Sequence, residues 1–272
     1  MKISVIIPTY KPQSYLWECL DSICCQTFPH TDFEVVLVLN GCNEPFNSQI
    51  KEYKKQHQSI QWNYIQTSQD GVSNARNLAL DNARGNFVTF VDDDDYVSPS
   101  FLQELYDAAD EHTISLAYPY AFDDGCQRTQ KHYHLTDTYD YCVTHGQNCL
   151  TSTARKFFSG PCMKLIPMSF IQNRRFDVRF KNGEDSIFMF LISDKISNVA
   201  FTSSDAIYYR RFRQNSAVTK KRGTYERVVN NWKSIKEYTR IFLDGKHSLF
   251  FYLTRIAAET RGIILAPLNS RK

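Results

Sequence analysis

Phe87-Val88-Thr89-Phe90-Val91-Asp92-Asp93-Asp94-Asp95-Tyr96 joins a run that is apolar at nearly every position to four consecutive aspartates. A short continuous apolar run, without the alternation of a strand wetted on one face, suits a strand buried on both sides. Working outward, similar runs occupy residues 3–7, 34–39 and 60–65. Between the first two, Leu16, Cys19, Leu20 and Ile23 fall at i, i+3, i+4 and i+7, which gives one apolar helix face. Residues 47–57 predict a weaker helix, and the alanine-rich segment 72–83 a third, with Gly85 expected in a left-handed cap. Beyond the aspartates, Ser98-Pro99 predicts an N-cap followed by proline in the first turn, and Leu102, Leu105 and Ala109 form a stripe. A further strand is expected over residues 114–120. Strands alternating with helices predict an α/β fold with a mostly parallel central sheet and helices on both faces. In such sheets ligands bind beyond the carboxyl ends of the strands. Three strand ends are thereby singled out: Pro8-Thr9-Tyr10, Asn40-Gly41 and Asp92 to Asp95.

The second half is less regular. Residues 123–147 read as loop, residues 164–166 and 206–209 as short strands, and a helix is expected after Glu184. Two helices close the chain, one with Val228, Trp232, Ile235 and Phe242 on its apolar face, the other with Leu249, Leu253, Ile256, Ala257 and Ile264. The expected organisation is an α/β half over 1–120, an acceptor-side region over 121–222 and C-terminal helices over 223–272, packed on the same domain.

The 272 residues carry a formal charge of only +3, with Lys and Arg scattered apart from a basic stretch at 210–222, so nucleic-acid binding is not expected. The opening apolar run is too short for a secretory leader, and residues 249–265 are interrupted by Arg255, Glu259 and Arg261, which argues against a spanning helix. The eight cysteines form no CxxC pair and read as reduced thiols, so the expected location is cytoplasmic. His132 and His134 near Cys126 match no common zinc spacing.

Four carboxylates at the end of a buried strand repel one another at a fixed place. A hard divalent cation with oxygen ligands, Mg²⁺ or Mn²⁺, relieves that repulsion and keeps positions open for phosphate oxygens. The alternative is a solvated acidic turn ahead of the helix that starts near Pro99.

At these residues the chain resembles family 2 glycosyltransferases of the GT-A fold. Ser4-Val5-Ile6-Ile7-Pro8-Thr9-Tyr10 is similar to the family's first strand and nucleotide-contacting turn, and Asp70-Gly71-Val72-Ser73-Asn74-Ala75-Arg76-Asn77 to its G-x-S-x-A-R-N helix entry. Phe90 to Tyr96 resembles the family's DxD motif, and Glu184-Asp185 with Phe188 its E-D-x-x-F segment. The resemblance implies an inverting transfer from a nucleotide-diphosphate sugar, most simply a UDP-sugar, to a saccharide or lipid-linked acceptor in surface polysaccharide assembly. Carried over, it implies Pro8, Thr9, Tyr10, Asn40, Arg76, Asp92 and Asp93 on the donor side, Asp94 with Asp92 at the metal, and Asp185 as base with Glu184 as the other candidate. The family often has Asp where Asn40 stands, and Asn supplies a donor as well as an acceptor.

Tyr208 to Ser216 resembles the family's Y-R-x-x-x-x-S stretch, in which Arg210, Arg211 or Arg213 suits a diphosphate. Lys164 matches a K-L element, with donor contact and structural pairing both open. The aromatic C-terminal helices suggest core packing or, alternatively, contact with a membrane face that carries the acceptor. Two rival readings remain: a non-catalytic nucleotide- or metal-binding module, and a nucleotidyltransferase, which would need a glycine-rich basic loop where Pro8-Thr9-Tyr10-Lys11-Pro12 stands.

Overall fold

The computed structural model describes residues 1–213 and 223–266. The first half runs β1 (Ile3–Thr9), α1 (Ser14–Cys24), β2 (Phe33–Asn40), α2 (Phe46–Gln56), β3 (Gln61–Thr67), α3 (Val72–Asn82) and β4 (Phe87–Phe90). Then come β5 (Tyr96–Val97), α4 (Phe101–Ala108), β6 (Thr113–Leu116), β7 (Tyr118–Asp123), α5 (His134–Thr144), a 3₁₀ segment (Thr153–Ser159), β8 (Lys164–Pro167) and α6 (Met168–Ile171). The chain continues through α7 (Glu184–Leu191), β9 (Asn198–Phe201), β10 (Ile207–Phe212), α8 (Thr224–Asp244) and α9 (Leu249–Leu265).

Every residue of β1 and β2 is buried, as their mostly apolar sequence predicts, and the buried polar residues Ser4 and Glu34 are hydrogen-bonded to each other, with Arg84 also donating to Glu34. The main sheet has the order β3-β2-β1-β4-β8-β6-β9. The first four strands are mutually parallel, with Thr9 opposite Leu39 and Ile6 opposite Phe90. This register brings Thr9, Asn40 and the residues after Phe90 to one edge, at the point where strand order reverses about β1. A second sheet, β5-β10-β7, stands over that edge, and its β5 begins directly after Asp95.

Several expectations are corrected. Gly85 is not a left-handed cap; a Cβ there would lie 2.5 Å from the Ser4 nitrogen and 2.7 Å from the Ile3 carbonyl carbon, so glycine is required by close approach to β1. Ser98 does not cap α4 with its side chain. Its Oγ donates to the Asp205 carbonyl, and the helix begins two residues later than the Ser-Pro signal suggests, at Phe101. Residues 114–120 form parts of two strands in different sheets, broken at buried Ala117, whose N–H donates to Met163. Residues 123–147 contain α5.

On α8 the buried set is Ser234, Glu237, Tyr238 and Ile241, because Tyr238 docks on Phe190 and Ser186 of α7; Trp232 is 54% exposed. Phe251 is the buried residue of α9, while Leu249, Leu253 and Ile264 are each more than half exposed. Among the described residues no helix is long and apolar enough to cross a membrane.

Candidate active site

Beyond the shared edge of β1, β2 and β4 lies a cavity of about 580 Å³ lined by Pro8, Thr9, Tyr10, Tyr15, Asn40, Asp70 to Val72, the four aspartates and Arg210 to Arg213. A second cavity of about 280 Å³ adjoins it and shares Asp92, Asp95 and Arg210 with the first. Asp185 lines this second cavity, together with Tyr133, His134, Lys156 and the loop Ser159 to Met163.

Each aspartate has its own partner. Asp92 accepts from Nη2 of Arg76 at 2.9 Å, and Asp93 accepts from the Thr9 hydroxyl. Asp94 meets Arg213 through Oδ2 at 2.6 Å. Asp95 is buried and accepts from the Tyr208 hydroxyl at 2.7 Å and the Arg211 N–H at 2.8 Å, which fastens the turn to β10. Burial pushes the carboxyls of Asp93, Asp94 and Asp95 above their ordinary range and the neighbouring aspartates add to the shift; Asp93 rises to about 7.

Arg76 connects the two cavities. From the first turns of α3 its buried guanidinium reaches Asp185 at 2.6 Å and Asp92 at 2.9 Å. Burial opposes its charge, but the two carboxylates outweigh that and hold its pKa above the usual value. The ring of Phe176 lies 5.3 Å beneath the guanidinium and stacks on Phe188 of α7, with Phe90 against both. Asn77 fixes this support by exchanging two 2.8 Å hydrogen bonds with the Phe176 backbone. The Arg76-Asn77 pair thus holds two carboxylates with one side chain and the floor beneath them with the next. Neither side chain lines either of these two cavities.

Asp185 and Glu184 are separated by the turn of α7. Asp185 faces the second cavity; the protein crowded around it raises its pKa, and Arg76 pulls it back down. Glu184 is buried, lines neither cavity, and leaves Oε2 without a hydrogen-bond partner.

Asn40 lines the first cavity as a strut. Its Nδ2 donates to the Thr9 carbonyl at 2.8 Å and its Oδ1 accepts from Gly71 at 3.2 Å. An aspartate could not donate to that carbonyl, which accounts for asparagine here. Lys164 is buried away from both cavities and donates at 2.6 Å to the carbonyls of Gly160 and Cys162, holding the loop that walls the second cavity; burial lowers its pKa to about 8. Of its two open readings, the geometry is that of structural pairing. The residues Gln214 to Ser216 lie outside the described residues.

Among the described residues no three Cys, His, Asp or Glu side chains gather into a metal cage. The site nevertheless suits a Mg²⁺ or Mn²⁺ held jointly with phosphate oxygens, which needs only one or two carboxylates. Both contacts from Arg213 fall on Oδ2 of Asp94, so Oδ1 is left to such a cation.

The sequence model described as Glycosyl transferase family 2 matches residues 4–177. The chain belongs to that family. It is 30% identical over 225 residues to Glycosyltransferase GlyA of Streptococcus pneumoniae, covering 79% of this chain and 31% of that protein. It is 40% identical over 112 residues to TarS of Staphylococcus aureus, a poly(ribitol-phosphate) beta-N-acetylglucosaminyltransferase, covering 41% of this chain and 19% of that protein. The chain therefore spans less than a third of the length of these two relatives. The crystal structure of S. aureus TarS 1-349 in complex with UDP-GlcNAc matches 96% of this chain and 72% of that one with a TM-score of 0.74 at 23% identity, and so shares its fold.

For a family 2 member, the lining residues that sequence reasoning did not single out are instructive. Tyr15 and Phe212 enter the first cavity, and Tyr133 and Lys156 enter the second. Tyr15 carried a signal in retrospect, since it is the second residue of a helix that starts soon after the β1 turn. Tyr133 lies in the stretch 123–147 read as loop and Lys156 in a stretch to which no element was assigned, so neither gave a signal.

Proposed function

We propose that this chain transfers a sugar from a nucleotide-diphosphate sugar, in the first instance a UDP-sugar, to a hydroxyl of a glycan or lipid-linked saccharide in bacterial-type surface polysaccharide assembly, with inversion at the anomeric carbon. The observation that carries this reading is the meeting of two cavities at Asp92 and Arg210, with Asp185 in the second tied to Asp92 of the first through one buried arginine. The larger cavity suits the donor. Tyr10, 50% exposed at its mouth, offers an aromatic face to a base, and Arg210 and Arg213 offer guanidinium donors to a diphosphate.

In the smaller cavity the acceptor hydroxyl meets Asp185, which accepts its proton as the oxygen attacks the anomeric carbon from the face opposite the leaving diphosphate. The bond to the diphosphate oxygen breaks and negative charge accumulates there. Arg213 is placed to turn from Asp94 to that charge. Mg²⁺ or Mn²⁺, when held by Asp94 and Asp92, supplies Lewis-acid stabilisation of the leaving group without proton transfer. TarS, crystallised with UDP-GlcNAc and similar in fold, supports uridine as the first base to test. A lipid-linked acceptor would bring the chain to a bilayer, and exposed Trp232, Leu249, Phe250 and Leu253 supply apolar side chains for that contact.

A panel of nucleotide sugars, each with and without Mn²⁺, tests the reading by thermal denaturation and by transfer to water or added saccharides. Stabilisation and turnover with one nucleotide class are expected. Stabilisation with no turnover over a broad acceptor panel would instead favour a binding module.

A further inference from the structure

The stretch from Ser159 to Met163 that lines the second cavity is held through main-chain carbonyls. Lys164, the first residue of β8 and 1% exposed, donates to the carbonyls of Gly160 and Cys162, both at 2.6 Å, and its ammonium lies 5.9 Å over the Phe158 ring. Arg255 of α9 takes hold just before them. Its guanidinium donates to the Phe158 carbonyl and, at 3.2 Å, to the Ser159 hydroxyl, and it lies 4.7 Å over the ring of buried Phe251. Three alternate carbonyls, of Phe158, Gly160 and Cys162, are thus tied by two cations from different elements. The next residue, Met163, has φ +67°, a left-handed conformation that a residue with a side chain adopts at a cost, and its carbonyl accepts from the Ala117 N–H at 2.9 Å.

Methionine would fill the space of Lys164 without desolvating a charge, so packing alone gives no reason for a lysine there. Burial works against both cations, lowering the pKa of Lys164 to about 8 and that of Arg255 as well. What the charges supply is hydrogen bonds to carbonyls that are stronger than neutral donors would make. The Lys164 charge also reaches Asp185, and each favours the charged form of the other. We infer that Lys164 and Arg255 are positioning residues for the acceptor side of the site: they hold the carbonyls of residues 158–162 so that the stretch lining the second cavity keeps one shape, and α9 is thereby part of the working site. This rests on the transferase reading above. Neither residue lines the first cavity, so nucleotide binding is indifferent to both.

The test uses the whole chain with the nucleotide sugar and the saccharide acceptor that the panel selects, and takes transfer to water as reference. In Lys164→Met and in Arg255→Met the KM for the saccharide is expected to rise about tenfold or more, as for the loss of one or two charge-assisted hydrogen bonds, with nucleotide affinity within about threefold of wild type. Arg255→Lys, which keeps a cationic donor for the Phe158 carbonyl, is expected to restore most of that KM. A readout that needs no substrate is alkylation by iodoacetamide, followed peptide by peptide in a mass spectrometer. Cys162 lines the second cavity and is expected to react several-fold faster in Lys164→Met, with Cys42, which accepts from the Lys11 N–H, as the unchanged reference. An unchanged saccharide KM in both methionine variants, a loss of nucleotide affinity in step with the rise in KM, or an unchanged Cys162 rate would each overturn the inference. Absence of turnover by wild type with every donor would overturn the transferase reading instead, and faster alkylation of Cys162 in Lys164→Met would then still show that the clamp holds this stretch.

Discussion

On the proposed mechanism Arg76 holds the carboxylate that accepts the proton, so its charge sets the pH at which that carboxylate is free to do so. Burial raises the Asp185 pKa and Arg76 lowers it. Removing the guanidinium therefore moves the Asp185 pKa upward, and the acidic limb of the pH–rate profile follows it. For Arg76→Gln we expect that limb to shift to higher pH by about one to three pH units, together with a fall in kcat. A fall in kcat with the limb unmoved would make Arg76 a packing residue only. The four aspartates separate by the same kind of argument. Asp95 is a buried acceptor for Tyr208 and Arg211, so Asp95→Ala should cost about 1–3 kcal/mol in denaturant unfolding. Asp94 is partly exposed and paired on one side only. Asp94→Ala should leave stability within about 1 kcal/mol but lower turnover about a hundredfold or more.

At the scale of elements, the end of the sheet remote from the site is held by a different device. Gly85 passes so close to Ser4 that its N–H donates to the Ser4 hydroxyl at 2.8 Å, and the same hydroxyl donates to buried Glu34. Gly85→Ala must push α3 and β4 off β1, with an expected loss of about 1–3 kcal/mol in unfolding free energy and no change in nucleotide affinity, because the site lies at the other end of β4. An unchanged unfolding midpoint would contradict that close approach. The β-α-β half was legible because strands buried on both faces, β1, β2 and β4, are apolar at most positions. Helix α5 was not, since its buried side includes Thr136 and Thr138, whose hydroxyls are satisfied by the carbonyls of Pro119 and His134. A polar residue made compatible with burial by a local hydrogen bond erases the apolar stripe. The stripe on α8 misled for a related reason: Tyr238 docks through its hydroxyl as well as its ring, and this turns Trp232 outward.

At the scale of the whole molecule, β10 brings Arg210 to Arg213 from late in the chain onto aspartates that end the fourth strand, and α7 brings Asp185 under Arg76. Motif order anticipated that these segments belong to one site. It did not anticipate that Arg76 would link two cavities, because nothing in types or spacing pairs residues 109 positions apart. On the proposed reading donor and acceptor functions separate in space, which predicts that nucleotide binding survives substitution of Asp185. A nucleotide with Mn²⁺ should raise the thermal midpoint of wild type and of Asp185→Asn alike. The most direct test of the whole account is to measure sugar transfer and nucleotide affinity side by side in Asp185→Asn. The account predicts turnover reduced by about a hundredfold or more with nucleotide affinity retained; wild-type turnover in that variant would contradict it.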